Sequence, residues 1–555
     1  MWRCPVSGVV RVSAGWFVRL DIPAIVTTWG QSPYTELPMS LFSLLLPAET
    51  PVEDYPFVPS DVALYHRTLD SGQALDAQTW DDMLLQPYSA QLAKETSIFG
   101  QQELHRRLHA DAGAVAASAV RVRVLAADAG QRQLLHKTCD SLRRADREIS
   151  EHLFGAAAPA KPRWVPFLRW LPVAFLLSVG LALASGWMAL WGVVVALWLL
   201  LMGVQVRFRD EAEEWFRIQR SVQQMLRTHS LLAMLDEPLA APFREDAARA
   251  GKINRAIGPS LTRNMPGVRE YADWLWQMNI RGYFDSREVV RLNVEFLRHS
   301  FRLVAALEAD VALARHLAQT PRYSWAEQGD AVALTQVVHP LLADAAPLSF
   351  ALEKQGAFIS GQNGIGKSTL LRTVGLNLII ARAFGFCYAE RAVTPGLPVY
   401  SSMQSEDALD GGESLYIAEL RRARELLALA ERAPAIFIID EIFRGTNHLE
   451  SISAATAVLH TLSASGKVIV SSHNLVLAPL LADCLAPLCV SSVAGRLQLA
   501  PGVLQDTNGI ALLGTRGFDA AISAKANRVY DWLSDYMAHP ADCAGVRASL
   551  AAGAM

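Results

Sequence analysis

From residue 165 to 204 the chain is almost wholly apolar, with Arg169 the one charged position. About 20 apolar residues suffice to cross a bilayer as a helix. A single helix over the whole run would be about 60 Å long, twice the hydrocarbon thickness. The pattern therefore predicts two spans, over 171–184 and 187–206, joined by a tight turn at Ala184-Ser185-Gly186-Trp187. Trp164, Trp170 and Trp187 fall at the expected interfaces, while Trp191 and Trp198 lie within the second span. Lys161, Arg163 and Arg169 flank one side, and Arg207 and Arg209 the other, so both ends of the hairpin are expected to face the cytoplasm. A buried helical hairpin in a soluble core is the competing reading, but such helices rarely run this long without polar positions.

Around this run the periodicity is helical. Apolar residues recur at three- and four-residue spacing over 80–92, 99–110 and 131–153 before it, and over 210–235 and 286–317 after it. Further on the period changes. Three short apolar runs, Ala357-Phe358-Ile359, Ala435-Ile436-Phe437-Ile438-Ile439 and Val468-Ile469-Val470, read as buried parallel strands, each with chemically distinctive residues at its C-terminal end.

The first run leads into Gly361-Gln362-Asn363-Gly364-Ile365-Gly366-Lys367-Ser368, the phosphate-cradling pattern G-x-x-x-x-G-K-[ST], and then into a helix beginning near Thr369. Its glycines let backbone N–H groups turn inward around phosphate oxygens. Lys367 brings a positive charge to the terminal phosphates, and the Ser368 hydroxyl can ligate Mg²⁺. The second run ends in Asp440-Glu441, placing Asp440 to hold Mg²⁺ and Glu441 to polarise an attacking water. The third ends in Ser471-Ser472-His473, whose histidine can sense the γ-phosphate. ATP with Mg²⁺ is the expected ligand.

These residues resemble the ATPase domain of the MutS family of DNA mismatch-repair proteins, within the ABC-type ATPases. Gly361 to Thr369 is similar to the family's G-P-N-M-G-G-K-S-T loop, sharing Asn363 and the Gly366-Lys367-Ser368-Thr369 end. Asp440-Glu441-Ile442-Phe443-Arg444-Gly445-Thr446 is similar to D-E-I-G-R-G-T, and Ser472-His473 to the T-H switch. Gly412-Glu413-Ser414-Leu415-Tyr416-Ile417-Ala418-Glu419 resembles the signature G-R-S-T-F-M-x-E, which implies that Ser414 acts in trans on the site of a partner subunit. His339-Pro340 resembles the H-P that opens the domain, and Pro501-Gly502, then Gly509-Ile510-Ala511 through Lys525-Ala526, its closing segment. Ser97-Ile98-Phe99-Gly100 followed by Leu104 and Leu108 looks like a family core-domain helix with Ser97 in place of threonine. Two departures stand out, Phe443 for a glycine and Glu413 for a basic residue.

The expected architecture is an α/β P-loop (ABC-type) ATPase domain over 330–540, preceded by an all-α core- and lever-like region over 61–160 and 207–325 that the transmembrane hairpin at 165–206 interrupts. Residues 1–60 are expected to be a poorly ordered extension or a mis-assigned start, with Met39 as an alternative first residue, and 541–555 a flexible tail. The resemblance implies a dimer and DNA as a partner. The chain is expected to lack the family's mismatch-reading domain and its Phe-x-Glu wedge, and its net charge of −3 supplies no global basic field. Arg143-Arg144 and Arg421-Arg422-Arg424 lack interleaved aromatics for base stacking. Six scattered cysteines without a C-x-x-C pair suit a reducing compartment and not a metal site. The expected location is the inner (cytoplasmic) membrane, multi-pass, with the ATPase domain in the cytoplasm. Three functions stay open: a DNA clamp held at the membrane, an ATP-driven device acting on a membrane partner, and a nucleotide-gated scaffold.

Overall fold

The computed structural model describes residues 55–69, 75–109, 115–258, 268–352, 356–403, 415–493, 496–504 and 520–537. The proposed start at 1–38, the tail at 541–555, Gly412-Glu413-Ser414 and Gly509-Ile510-Ala511 lie outside them.

Up to Gln319 the described chain is helical; from Ser324 strands appear. Six strands form the main sheet in the order Arg496–Pro501, Leu485–Val493, Gly356–Gly361, Lys467–Ser471, Ile436–Asp440 and Val399–Ser402. All pairs are parallel except the outer hairpin of Leu485–Val493 with Arg496–Pro501. Period-two alternation sorts the side chains onto two faces. Ala357, Ile359, Ile436, Ile438 and Ile469 join a core shared with the helix Lys367–Phe384 and the helical region. Phe358, Phe437, Ile439, Val468 and Val470 pack on the other face with Leu426, Leu459 and Leu462 from helices Leu415–Ala430 and His448–Ser465. Burial on both faces is why these strands are continuously apolar.

A second, four-stranded sheet runs Glu327–Gln328, Arg391–Thr394, Val332–Val337 and Leu348–Leu352. Its bulge between Leu334 and Val337 holds Gln336 at φ 51°, where the Gln336 amide donates to Ser349 Oγ at 3.1 Å.

The hairpin turn sits where the pattern placed it. Helix Leu171–Ser185 ends at Gly186, whose φ of 65° suits glycine, and the next helix starts at Met188. That second helix does not end where the apolar run ends. It runs unbroken from Met188 to Ala233, 46 residues or about 69 Å. The expected separate helix over 210–235 is thus the continuation of the second span. Val165–Ser185, which includes the 3-10 turn Val165–Arg169, and Met188–Ala233 are long and apolar enough to cross a membrane and are only 17% buried over their apolar windows. Leu177, Trp187 and Met188 are 69%, 70% and 80% exposed.

Other helices are more broken than the pattern suggested. The stretch 80–92 is two helices, Ala77–Asp82 and Leu85–Leu92, hinged at Leu84 with φ 56°. Pro87 has no N–H for the carbonyl four residues back, which prevents one continuous helix. The stretch 131–153 divides into Ala129–Cys139, a 3-10 turn Asp140–Arg144 and the short helix Ser150–Phe154. The stretch 286–317 breaks at Asn293 into Met278–Leu292 and Val294–Gln319.

Two long helices lock the helical region together. Glu308, on Val294–Gln319, accepts from the Ser97 amide (2.9 Å), the Ser97 hydroxyl (2.5 Å) and the Gly100 amide (3.0 Å) at the start of Ile98–His109. A Cβ on Gly100 would come within 3.0 Å of Glu308 Oε2 and 2.6 Å of Thr96 Cγ2, so the close approach requires glycine.

Candidate functional site

Three neighbouring strands deliver the candidate residues to one end of the main sheet. In register, Ser471 lies beside Ile359 on one side and Asp440 on the other. The turn after Gly361, the Asp440-Glu441 pair and His473 therefore emerge next to one another, in the crevice beyond the carboxyl ends of parallel strands where such sheets place ligands.

The glycine loop is shaped for a ligand's close approach. Gly364 and Gly366 take φ of 75° and 101°, and Gly366 immediately precedes the helix that starts at Lys367. Asn363 and Thr369 are exposed and Ser368 is half-buried at that helix start. Lys367 is buried, and its Nζ donates to the carbonyls of Gly361 (3.0 Å) and Gln362 (3.3 Å). Burial lowers the lysine's pKa from its ordinary value, while Glu441 and Asp440 oppose the shift.

Asp440 is buried and accepts a hydrogen bond from the Ser471 hydroxyl. Glu441 takes φ 57°, and its amide donates to Ser471 O at 2.9 Å. This turn aims its carboxylate between His473 Nε2, 2.7 Å from Oε1, and Arg444 Nε, 2.6 Å from Oε2. Burial pushes the Glu441 carboxyl upward, but the His473 hydrogen bond and charge, Arg444 and Lys367 together hold it below its ordinary value. Glu441 is thus an ionised, positioned acceptor at neutral pH. Arg444 was named from the sequence only within the match to D-E-I-G-R-G-T and was given no role; its place three residues after Glu441 was the available signal.

The departure at Phe443 has a physical account. Its φ of 56° keeps the left-handed backbone that glycine adopts freely, while the ring is fully buried, 6.1 Å from Tyr416 between ring centroids. Strain of about 1–2 kcal/mol is offset by about 1.5–3 kcal/mol from burying the side chain. Gly445 faces the same neighbour: a Cβ there would come within 2.6 Å of the Tyr416 amide nitrogen. The segment after Glu441 is therefore fitted to the start of Leu415–Ala430, the helix that follows Ser414 in the chain. Helix His448–Ser465 opens on Asn447, whose side chain accepts from the Glu450 amide at 3.0 Å.

One Phe-x-Glu tripeptide, Phe243-Arg244-Glu245, is nevertheless present in the helical region. Phe243 is buried, however, with its ring 5.0 Å from that of His229, so it serves the core of the helical region.

Fold and site define a mixed α/β domain built on a strand–glycine loop–helix unit, with a helical region preceding it. Residues 357–492 match the family model of MutS domain V, so this part of the chain is a MutS-type domain. It is 35% identical over 176 residues to Endonuclease MutS2 of Thermus thermophilus, covering 31% of this chain and 23% of that protein. With the DNA mismatch repair protein MutS of Thermus aquaticus it shares 28% identity over 259 residues, 44% of this chain and 31% of that protein. With MutS of Thermotoga neapolitana it shares 34% over 123 residues, 22% of this chain and 15% of that protein. The chain thus spans less than a third of the length of each of these relatives.

Proposed function

We propose that this protein is a membrane-anchored ATPase of the MutS type that works as a dimer and couples ATP binding and hydrolysis to movement of its helical arms. The observation that carries the reading is the convergence of Lys367, Asp440, Glu441 and His473 at the ends of three adjacent strands. The residues fit Mg²⁺ and ATP. Gly364 has nothing within 4 Å of where a Cβ would stand and Gly366 only Leu497 Cδ1 at 3.7 Å, leaving the cradle open to phosphates. Ser368 and Asp440 are the oxygen donors that would hold Mg²⁺, which supplies charge neutralisation at the phosphates.

In this reading Lys367 leaves its loop carbonyls for the terminal phosphates. Glu441, ionised and aimed by Arg444 and His473, accepts a proton from the attacking water, and His473 reports on the γ-phosphate from the other side of that carboxylate. Ser414 of the second copy completes the site. The hairpin holds the protein in the cytoplasmic membrane with the ATPase domain in the cytoplasm. DNA is the partner suggested by the relatives' names, read through phosphate contacts and without preference for a mispair. A second reading, a device acting on a membrane partner with no nucleic acid, draws on the net charge of −3 and on the continuous helix that joins the second span to the helical arm.

The test is a pair of substitutions. Glu441→Gln retains ATP binding and loses about 10²–10⁴-fold in hydrolysis, because only the proton acceptor is gone. Lys367→Ala weakens binding itself. Equal turnover in Glu441→Gln and the parent protein would overturn the assignment.

A further inference from the structure

We infer that residues 272–278 form a third membrane-contacting element, an elbow that dips Trp274, Trp276 and Met278 into the lipid interface beside the hairpin. The inference rests on the reading of the hairpin as membrane-inserted and adds to it a surface that no span prediction would find.

The depth of this elbow is fixed by a hydrogen bond. Gln277 is fully buried, and its Nε2 donates to the carbonyl of Leu201 at 2.8 Å. Leu201 lies within the apolar part of the long helix, six residues before Arg207, the first charge after the span. At 1.5 Å per residue the elbow therefore reaches about 9 Å past that charge towards the apolar end. Interfacial helices sink their apolar faces by about 5–10 Å, so the elbow sits at their depth.

The direction of the neighbouring helix agrees. From Met278 to Leu292 it runs alongside the long helix and away from the hairpin. Tyr283 Oη meets Glu211 at 3.4 Å, and Trp215 Nε1 donates to Ser286 Oγ at 2.8 Å. Gln277 is thus the tip nearest the spans. There the chain turns with Gln277 at φ 49°, a conformation costing a non-glycine residue about 1–2 kcal/mol, which the Leu201 contact holds in place.

At this tip, apolar side chains face outward. Trp274, Trp276 and Met278 are 45%, 41% and 37% exposed. Tryptophan in such a place is the residue favoured where hydrocarbon meets headgroup. The backbone meets the demand of a low-dielectric setting as well: the Trp276 amide donates to Ala272 O at 3.1 Å, and Gln277 O accepts from the Arg281 amide at 3.0 Å. Trp198, Leu199 and Leu200, one to three residues before the Leu201 contact on the long helix, are also exposed. A lipid surface covers both together.

The experiment places the photo-reactive aromatic benzoylphenylalanine, one position at a time, at 274, 276, 199 and 220 in the full chain reconstituted into phosphatidylcholine vesicles with radiolabelled lipid. Position 199 reports the hairpin, and 220, whose arginine side chain is 63% exposed on the long helix beyond the span, reports the aqueous arm. Lipid adducts at 199, 274 and 276 with none at 220 are the expected result. Adducts at 199 but at neither 274 nor 276 overturn the elbow and leave the hairpin standing. Adducts at none of the four overturn the membrane reading and the elbow with it, and a label at 220 equal to that at 276 overturns the elbow by removing its depth.

Discussion

The Asp82 carboxylate accepts a 2.6 Å hydrogen bond from the Ser401 hydroxyl, and the same oxygen accepts the Met403 amide at 2.9 Å. One residue of the helical region thereby holds the edge strand Val399–Ser402 of the main sheet. Thr79 Oγ1 accepts the Ser401 amide at 2.8 Å, and Arg422 joins Ser401 O to Asp76 Oδ2 at 2.9 Å from each, through Nε and Nη1. Arg422 lies on the helix that follows Ser414, so sheet edge, signature helix and helical region meet in one polar cluster. Burial raises the Asp82 carboxyl above its ordinary pKa despite these donors and the nearby Arg422 and Arg372.

Asp82→Ala leaves the buried Ser401 hydroxyl and the Met403 amide without their acceptor. It is expected to cost about 1–3 kcal/mol, read as a lowered denaturation midpoint. Asp82→Asn, which retains one acceptor oxygen, loses less. Nucleotide affinity per folded molecule stays unchanged, since Asp82 touches none of the phosphate-loop residues. A midpoint unmoved in Asp82→Ala would show that the cluster carries no stability.

The sequence made the site legible because its strands are buried on both faces: Ile436 to Ile439 cannot be anything but apolar, and Asp440-Glu441 ends the run abruptly. The glycine loop was legible because Gly364 and Gly366 adopt backbone angles that few residues other than glycine take. The four-stranded sheet was not, since Glu327–Gln328 is a two-residue exposed strand and Arg391–Thr394, at four residues, is too short for its alternation to stand out. Continuity of the long helix was also hidden. Hydrophobic character stops at Arg207, but no glycine, proline or capping residue stops the helix there. The break at Leu84 had its signal in Pro87, three residues on. The elbow at Gln277 had none, because a left-handed glutamine held by a distant carbonyl is a tertiary event.

Replacing Phe443 separates strain from burial. Both Phe443→Ala and Phe443→Gly lose the buried ring, at about 3–5 kcal/mol for the alanine variant. Glycine also relieves the left-handed backbone, so Phe443→Gly is expected to be the more stable of the two by about 1 kcal/mol, against the usual order. Equilibrium denaturation of the two variants decides this, and an alanine variant more stable than the glycine variant would refute the strain account.

Glu308 gives the helical region a pH dependence. Burial raises its carboxyl from 4.5 to about 7, opposed by the Ser97 and Gly100 hydrogen bonds. The folded state keeps a proton that the unfolded chain releases near 4.5, so this group's contribution is full below that pH. It is lost as pH rises through about 7. Glu308→Gln is expected to flatten the fall in stability between about pH 4.5 and 7 by on the order of 2–3 kcal/mol. Parallel stability–pH curves for the two proteins would contradict it.

The close fit of Gly445 and Phe443 to Tyr416 bears on the dimer. The turn that positions Glu441 in one site is fixed to the helix whose preceding residue, Ser414, is assigned to the site of the other copy. On the proposed dimer reading, each chain contributes Lys367 to its own site and Ser414 to its partner's. Ser414→Arg protein and Lys367→Ala protein should each be inactive alone. In an equimolar mixture, a heterodimer holds one site with both defects and one with neither. Random pairing makes half of the dimers heterodimers, so the mixture is expected to recover about a quarter of the parent ATPase rate if sites turn over independently. The measurement is steady-state phosphate release from the mixture against each variant alone, with co-purification of two differently tagged chains as the control for exchange. Tagged chains that associate while the mixture stays as inactive as its components would place Ser414 in its own chain's site.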